Sequence, residues 1–247
     1  MSEILLINRQ AQLTQLTLNR AGRANALNAL LVEALHHAVD EAYRDGTRLL
    51  VLQGEGKHFC AGFDFSDLAE QSEADLIVRF IRIEQLLQKL FYAPFACVAL
   101  AHGKIFGAGA DLVISCATRW AAPETTFRMP GLRFGVVLGT QRLAQRIGAE
   151  KARAMLSTSE TISTQKALSL GFIHNITPPD LWADSCAGLL LPSTQLSPTA
   201  YRDMTQALLL SSQDEDLSRL VRSVTAPGLK QRIEQYLLEN QTKRAPT

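Results

Sequence analysis

Two spacings of apolar residues divide the chain. Short runs that alternate or stay continuously apolar, at 4–6, 13–18, 49–53, 97–101, 118–122 and 172–176, read as strands. Longer stretches carry a helical period. From Asn28 the positions Leu31, Ala34, Leu35, Ala38, Val39 and Ala42 share one face, and Gly46 closes that helix. Residues 76–90 form a second amphipathic stretch through Ile77, Phe80, Ile83, Leu86, Leu87 and Leu90, broken by Pro94. Further helices are expected over 108–116, 142–156 and 163–170, the last closed by Gly171. From about Leu181 the chain reads as helical, interrupted by Pro192, Pro198 and Pro227-Gly228, with 193–198 as the expected flexible joint. Strands and helices alternate to residue 176 and helices follow alone. That order predicts an α/β core with a helical C-terminal portion.

One local device occurs twice. Gly56-Lys-His-Phe-Cys-Ala-Gly-Phe-Asp64 is nearly repeated as Gly103-Lys-Ile-Phe-Gly-Ala-Gly-Ala-Asp111, with six of nine positions shared. Each copy follows an apolar strand and is expected to lead into a helix, with Asp64 or Ser66 placed to cap the first. Backbone N–H groups at such small-residue bends lack intrahelical partners. Two of them converging would form a cradle for a developing oxyanion. A single glycine-rich turn is a weak signal; the duplication strengthens it. No G-x-x-x-x-G-K-[ST] is present, and Gly107-Ala108-Gly109 is too short for a dinucleotide fingerprint.

Composition narrows the alternatives. The 247 residues are 47% hydrophobic and 20% charged, with formal net charge +1. This supports a sizeable core and gives no basic field for nucleic acid or an anionic membrane. Cys60, Cys97, Cys116 and Cys186 lack metal-site spacing and read as buried thiols of a reducing compartment. No basic leader and no run of membrane-spanning length is seen, so a soluble cytoplasmic protein without a metal site is the expectation.

The motifs, in order, resemble the crotonase (enoyl-CoA hydratase/isomerase) superfamily. Leu18-Asn19-Arg20 with Asn25-Ala26-Leu27-Asn28 resembles its entry segment, and Phe59-Cys-Ala-Gly-Phe-Asp64 its first turn. The segment from His102-Gly103 to Asp111-Leu112 resembles its second turn, followed by a counterpart of its C-D-x-x-x-A run at Cys116 to Ala122. Gly139-Thr-Gln-Arg-Leu143 and Ala167-Leu-Ser-Leu-Gly-Phe-Ile173 match later family segments, so the resemblance covers roughly residues 5 to 180. It implies a spiral of strand–strand–helix repeats with a helical C-terminal trimerisation region: a core over 1–190 that binds acyl-CoA, and helices over 191–247. It implies oxyanion-hole amides at Phe63 and Ala108, holding an acyl-CoA thioester as it becomes an enolate. Coenzyme A is then part of the substrate, no separate cofactor is needed, and its adenine end lies near Arg23, Ala24, Ala61 and Phe65. Gly107 and Gly131 fall at the acyl site. Trimers, often paired as hexamers, are the implied assembly, with the tail (Ile233, Tyr236, Leu237, and Tyr236 and Lys243 as loose CoA contacts) packing on a neighbour or closing the CoA site.

The acids depart from the pattern. Of the two family glutamates, the first falls on Asp111, a shorter carboxylate, and the second on Gly131. Phe63, Phe65 and Phe134 are candidates for an acyl pocket. His102 is either a turn histidine or a proton carrier, His58 is expected on the loop surface, and Glu124 and Arg128 flank the missing acid. One carboxylate suits a 1,3-proton shift better than plain water addition. The expected activity is double-bond isomerisation or hydration of an enoyl-CoA. Decarboxylation or hydrolysis on the same scaffold, or a non-catalytic acyl-CoA binder, are the alternatives.

Overall fold

The computed structural model describes residues 3–209 and 212–242, so Lys243 lies outside the described residues. Strands β1 (Leu5–Gln10) and β2 (Leu13–Leu18) form an antiparallel hairpin, with Leu5 opposite Leu18. Helix α1 (Ala29–Ala42) starts where the Asn28 side chain accepts the Leu31 N–H, and buries Leu31, Leu35, Ala38 and Val39. It leads to β3 (Leu49–Gly54), which pairs parallel with β2. Helix α2 (Glu73–Phe91) opens on a reciprocal Ser72–Asp75 capping box and returns the chain to β4 (Ala96–Ala101), parallel to β3. Strands β6 (Thr118–Ala121) and β9 (Asn175–Ile176) complete a six-stranded sheet in the order β1-β2-β3-β4-β6-β9. A second sheet joins β5 (Lys104–Phe106), β7 (Thr126–Arg128) and β8 (Ile162–Ser163).

Alternation along the strands sorts the core into two layers. Leu50 and Leu52 of β3, with Cys97 and Ala99 of β4, join the main core beneath α1, α2 and the buried α3 (Ala108–Ser115). Leu49, Val51, Val98 and Leu100 face the opposite way, against Trp182 and Cys186 of α7 (Trp182–Gln195). The C-terminal helices return to the main core. Leu220 and Val224 of α9 (Gln213–Val224), and Leu229 and Ile233 of α10 (Leu229–Thr242), are buried in it. Ile233 therefore packs within its own chain, where one expectation had it facing a neighbouring subunit.

Several expected elements differ. The stretch 142–156 is two helices, α4 (Thr140–Ile147) and α5 (Ala149–Thr158), because Gly148 at φ +88° separates them. The first Gly-Lys turn leads only into a single 3₁₀ turn at Leu68–Glu70, not into an α-helix. The Asp64 carboxylate accepts the Ser66 N–H but also pairs with Arg20 at 3.0 Å, and α2 begins only after Ser72. Of 172–176 only β9 is strand; the remainder follows α6 (Thr164–Leu170) as loop. Pro192 lies inside α7 rather than ending it, with the carbonyl-bearing Gly188 one turn earlier exposed to solvent. The expected joint before α8 (Pro198–Ala207) is tied down, since Arg48 Nη2 donates to the carbonyls of Ser193 at 2.9 Å and Leu196 at 2.5 Å. No helix among the described residues is long and apolar enough to cross a membrane.

Candidate active site

Strands β3 and β4 are parallel neighbours, so the two Gly-Lys turns leave the sheet side by side. They are stitched together: Phe59 N–H donates to the His102 carbonyl at 2.9 Å and Phe106 N–H to the Cys60 carbonyl at 3.3 Å. His58, half-buried rather than on the surface, accepts the Lys104 N–H on Nδ1. His102 contacts the Gly56 carbonyl through Nε2 and packs on Trp182, and burial lowers its pKa. It does not line the cavity described below.

The amide of Phe63 is aimed by a strand bridge. Leu27 N–H donates to the Gly62 carbonyl at 2.7 Å, and Asp64 N–H donates to the Leu27 carbonyl at 3.2 Å. Successive amides of an extended chain point to opposite edges, so Phe63 N–H faces away from Leu27. Among the described residues neither it nor Ala108 N–H, at the start of α3, has an acceptor. The two turns touch at Gly62, at φ +89°: a Cβ there would sit 2.4 Å from the Phe106 carbonyl oxygen and 3.2 Å from Ala108 N. Glycine is required at that point on both counts.

Phe63 and Ala108 both line one cavity of about 300 Å³. Ala61, Phe63, Phe65, Gly107, Ala108, Asp111 and Gly131 all line it, whereas Arg23 and Ala24 do not. Arg23 is exposed at the end of a short turn, and Ala24 abuts the site only through its carbonyl, which accepts the Ala61 N–H at 2.9 Å. The walls are apolar and aromatic. Phe134 lies 6.2 Å from Phe65 and 5.1 Å from Tyr236 of α10, so the tail closes its own chain's cavity, together with Leu237. Phe80 and Thr140 also line it. Neither was singled out as a site residue, although Phe80 lies on the apolar stripe of α2. Arg128 reaches the lining and donates from Nε to the Ser159 carbonyl, while Glu124 is exposed on a turn at φ +65° outside it.

Asp111 is the one carboxylate among the described lining residues. It is 3% exposed, and its Oδ1 has no hydrogen-bond partner. Burial drives its pKa well above the ordinary carboxylate range, opposed by nearby Arg142 and reinforced by Glu84. Arg142 is itself buried and donates to Glu84 at 2.5 and 2.8 Å and to Asp216 at 3.1 Å. The site thus combines two amides that lack acceptors among the described residues with one carboxyl that burial holds in its protonated form to higher pH than an ordinary carboxylate. No cluster of metal-ligating side chains occurs among the described residues.

Comparison with known proteins identifies the family of the chain. The enoyl-CoA hydratase/isomerase family model matches residues 8–223. The chain is 34% identical over 182 residues to a Mycobacterium leprae protein assigned as an enoyl-CoA hydratase, covering 70% of this chain and 72% of the relative. It is 30% identical over 217 residues to the 2,3-dehydroadipyl-CoA hydratase of Escherichia coli, covering 86% and 84%. The match to a Bacillus subtilis relative, also assigned as an enoyl-CoA hydratase, spans 60% of that protein. A solved structure from Bordetella parapertussis, assigned as an enoyl-CoA hydratase/isomerase, superimposes with TM-score 0.94 at 42% identity, covering 96% of this chain and 99% of that one. The chain belongs to the enoyl-CoA hydratase/isomerase family of enzymes and has the crotonase fold its motifs resemble.

Proposed function

We propose that the protein catalyses proton transfer on an unsaturated acyl-CoA through a thioester enolate, with double-bond isomerisation as the reaction its site suits best. The carrying observation is the buried carboxyl of Asp111, the one carboxylate among the described lining residues and unpartnered at Oδ1, in the cavity lined by Phe63 and Ala108, whose amides have no acceptor among the described residues. The thioester oxygen sits between the two amides. Ionised Asp111 removes the proton alpha to the carbonyl of a 3-enoyl thioester, and negative charge spreads to the oxygen. The amides stabilise that charge, each donor being worth about 10²–10³ in rate. Asp111 then returns the proton to the γ carbon, giving the 2-enoyl thioester. One carboxyl suffices, because it is a base in the first step and an acid in the second.

Hydration is the second reading, supported by the 2,3-dehydroadipyl-CoA hydratase among the relatives. It asks Asp111 alone to position a water and move its proton, since Gly131 supplies no second acid to the cavity. Coenzyme A belongs to the substrate on either reading, and no further cofactor is invoked. Arg23, exposed beside the loop that holds Ala24 and Ala61, is suited to the phosphates of CoA. A homotrimer is the assembly the family resemblance suggests, and the cytoplasm the compartment suggested by four free cysteines.

The test is conversion of 3-enoyl-CoA and 2-enoyl-CoA thioesters in D₂O, read by mass spectrometry for the wild type and Asp111→Asn. Isomerisation or deuterium uptake that disappears in the variant supports the reading. Wild-type conversion undiminished in the variant would remove Asp111 from the chemistry, and no conversion of any thioester by the wild type would favour a binding role.

A further inference from the structure

Arg79 of α2 is a cation in the core, 8% exposed, and the proposed reaction gives it no part. Its surroundings are specific. Nη2 donates to the Asp64 carbonyl at 2.8 Å and to the Leu27 carbonyl at 3.3 Å. These two carbonyls belong to the two strands of the bridge that aims Phe63 N–H. The guanidinium carbon lies 4.1 Å from the centroid of the Phe63 ring, and that ring stacks on Phe80 at 4.4 Å. On its other arm, Nη1 donates to Asp67 Oδ1 at 3.0 Å and Gln71 Oε1 at 2.8 Å.

We propose that Arg79 is a positioning residue for the Phe63 amide. The argument rests on the reading of Phe63 N–H as an oxyanion donor. That amide lies in a loop after Gly62, at a left-handed backbone angle, and no helix or full strand fixes it. A donor aimed at a developing charge is useful only if its direction is set before the charge appears. Two hydrogen bonds from one guanidinium nitrogen hold the backbone on both strands of the bridge. The same guanidinium lies over the ring carried by the donor residue. Asp67 and Gln71 in turn fix the guanidinium. The planar fork does what a point charge cannot, so lysine is a poor substitute.

The test uses but-2-enoyl-CoA carrying ¹³C at the thioester carbonyl, bound to the full-length protein and read by difference infrared spectroscopy. A carbonyl held by two aimed amides absorbs at lower frequency than free thioester. In Arg79→Met and Arg79→Lys the band is expected to move back toward the free value. With it, kcat should fall about 10–100-fold, up to the worth of one such donor, while KM changes less than about threefold. Asp67→Ala and Gln71→Ala leave the buried cation in place and are expected to give smaller shifts of the same sign; they serve if the Arg79 variants do not fold. A wild-type band shift retained in all folded variants, with kcat unchanged, would overturn this inference alone. A wild-type band at the free position would overturn the amide cradle itself, and this inference with it.

Discussion

Gly139 presses against Asp111 so closely that a Cβ on Gly139 would lie 1.9 Å from the Asp111 Oδ1 atom. Gly139 also takes φ +65° just before α4, a conformation side chains rarely adopt. The carboxyl of Asp111 therefore owes its place to a missing side chain 28 positions away. Gly139→Ala is expected to push the carboxyl off its position and strain the turn. On the proposed reaction kcat should fall about 100-fold, the scale of a roughly 1 Å misplacement. A variant with wild-type turnover would show that the position of Asp111 is not critical.

Ionisation of Asp111 should govern the pH profile. Burial raises its folded pKa, so the basic form is scarce at acid pH. On the proposed mechanism kcat/KM for isomerisation rises about tenfold per pH step up to that pKa, then levels. The midpoint is expected well above the ordinary carboxylate value, and absent from any residual activity of Asp111→Asn. A flat profile between pH 5 and 8 would contradict this assignment.

The same group should tie stability to pH. Unfolded, the Asp111 carboxyl ionises in its ordinary range; folded, it keeps its proton to higher pH. Its contribution to stability is complete below the unfolded pKa and is lost as pH rises through the folded one. Asparagine has no proton to lose. Asp111→Asn is expected to melt above the wild type at neutral pH by a few degrees, since about 1 kcal/mol moves Tm by roughly 2–4 °C in a chain of this size. The difference should grow in calorimetry as pH rises from the ordinary carboxylate range toward the raised folded pKa, and then level. A gap that shrinks as pH rises would mean that the folded carboxyl is not destabilised when ionised.

What the sequence revealed of this site came from short-range pattern. Phe63 and Ala108 stand at equivalent places in a duplicated nine-residue motif, and Asp111 ends the second copy. The parallel strands that bring them together were also legible as apolar runs. The supporting contacts were not. Arg79 reaches Leu27 across 52 positions, and Arg142 reaches Glu84 across 58. Nothing in the local spacing of α2 separates a buried arginine from a solvated one. Strands β5, β7 and β8 have three, three and two residues, too few to show a period. The helix expected after the first turn failed because Asp64 spends its carboxylate on Arg20 and Ser66, and the Leu27 bridge keeps Phe63 extended.

Gly131 offers the sharpest test of how the missing acid sets the reaction. It lines the cavity at the start of a short turn, and its backbone is not in the left-handed region. A Cβ there would meet one neighbour within 4 Å, the Val136 carbonyl oxygen at 3.1 Å, which requires a shift of a few tenths of an ångström. Gly131→Glu is therefore expected to fold, placing a second carboxyl beside the cavity that holds Asp111. Water addition needs two positioned groups more than a proton shift does, so hydration of a 2-enoyl-CoA should rise at least about tenfold, within the 10²–10⁴ range of general acid–base assistance. Isomerisation should change by no more than a few-fold, because Asp111 and the two amides are left as they were. Loss of the conjugated enoyl-thioester absorbance on hydration, followed beside isomer formation, separates the two rates. A folded variant that gains no hydration would mean that water is limited by access to the cavity rather than by the absent acid.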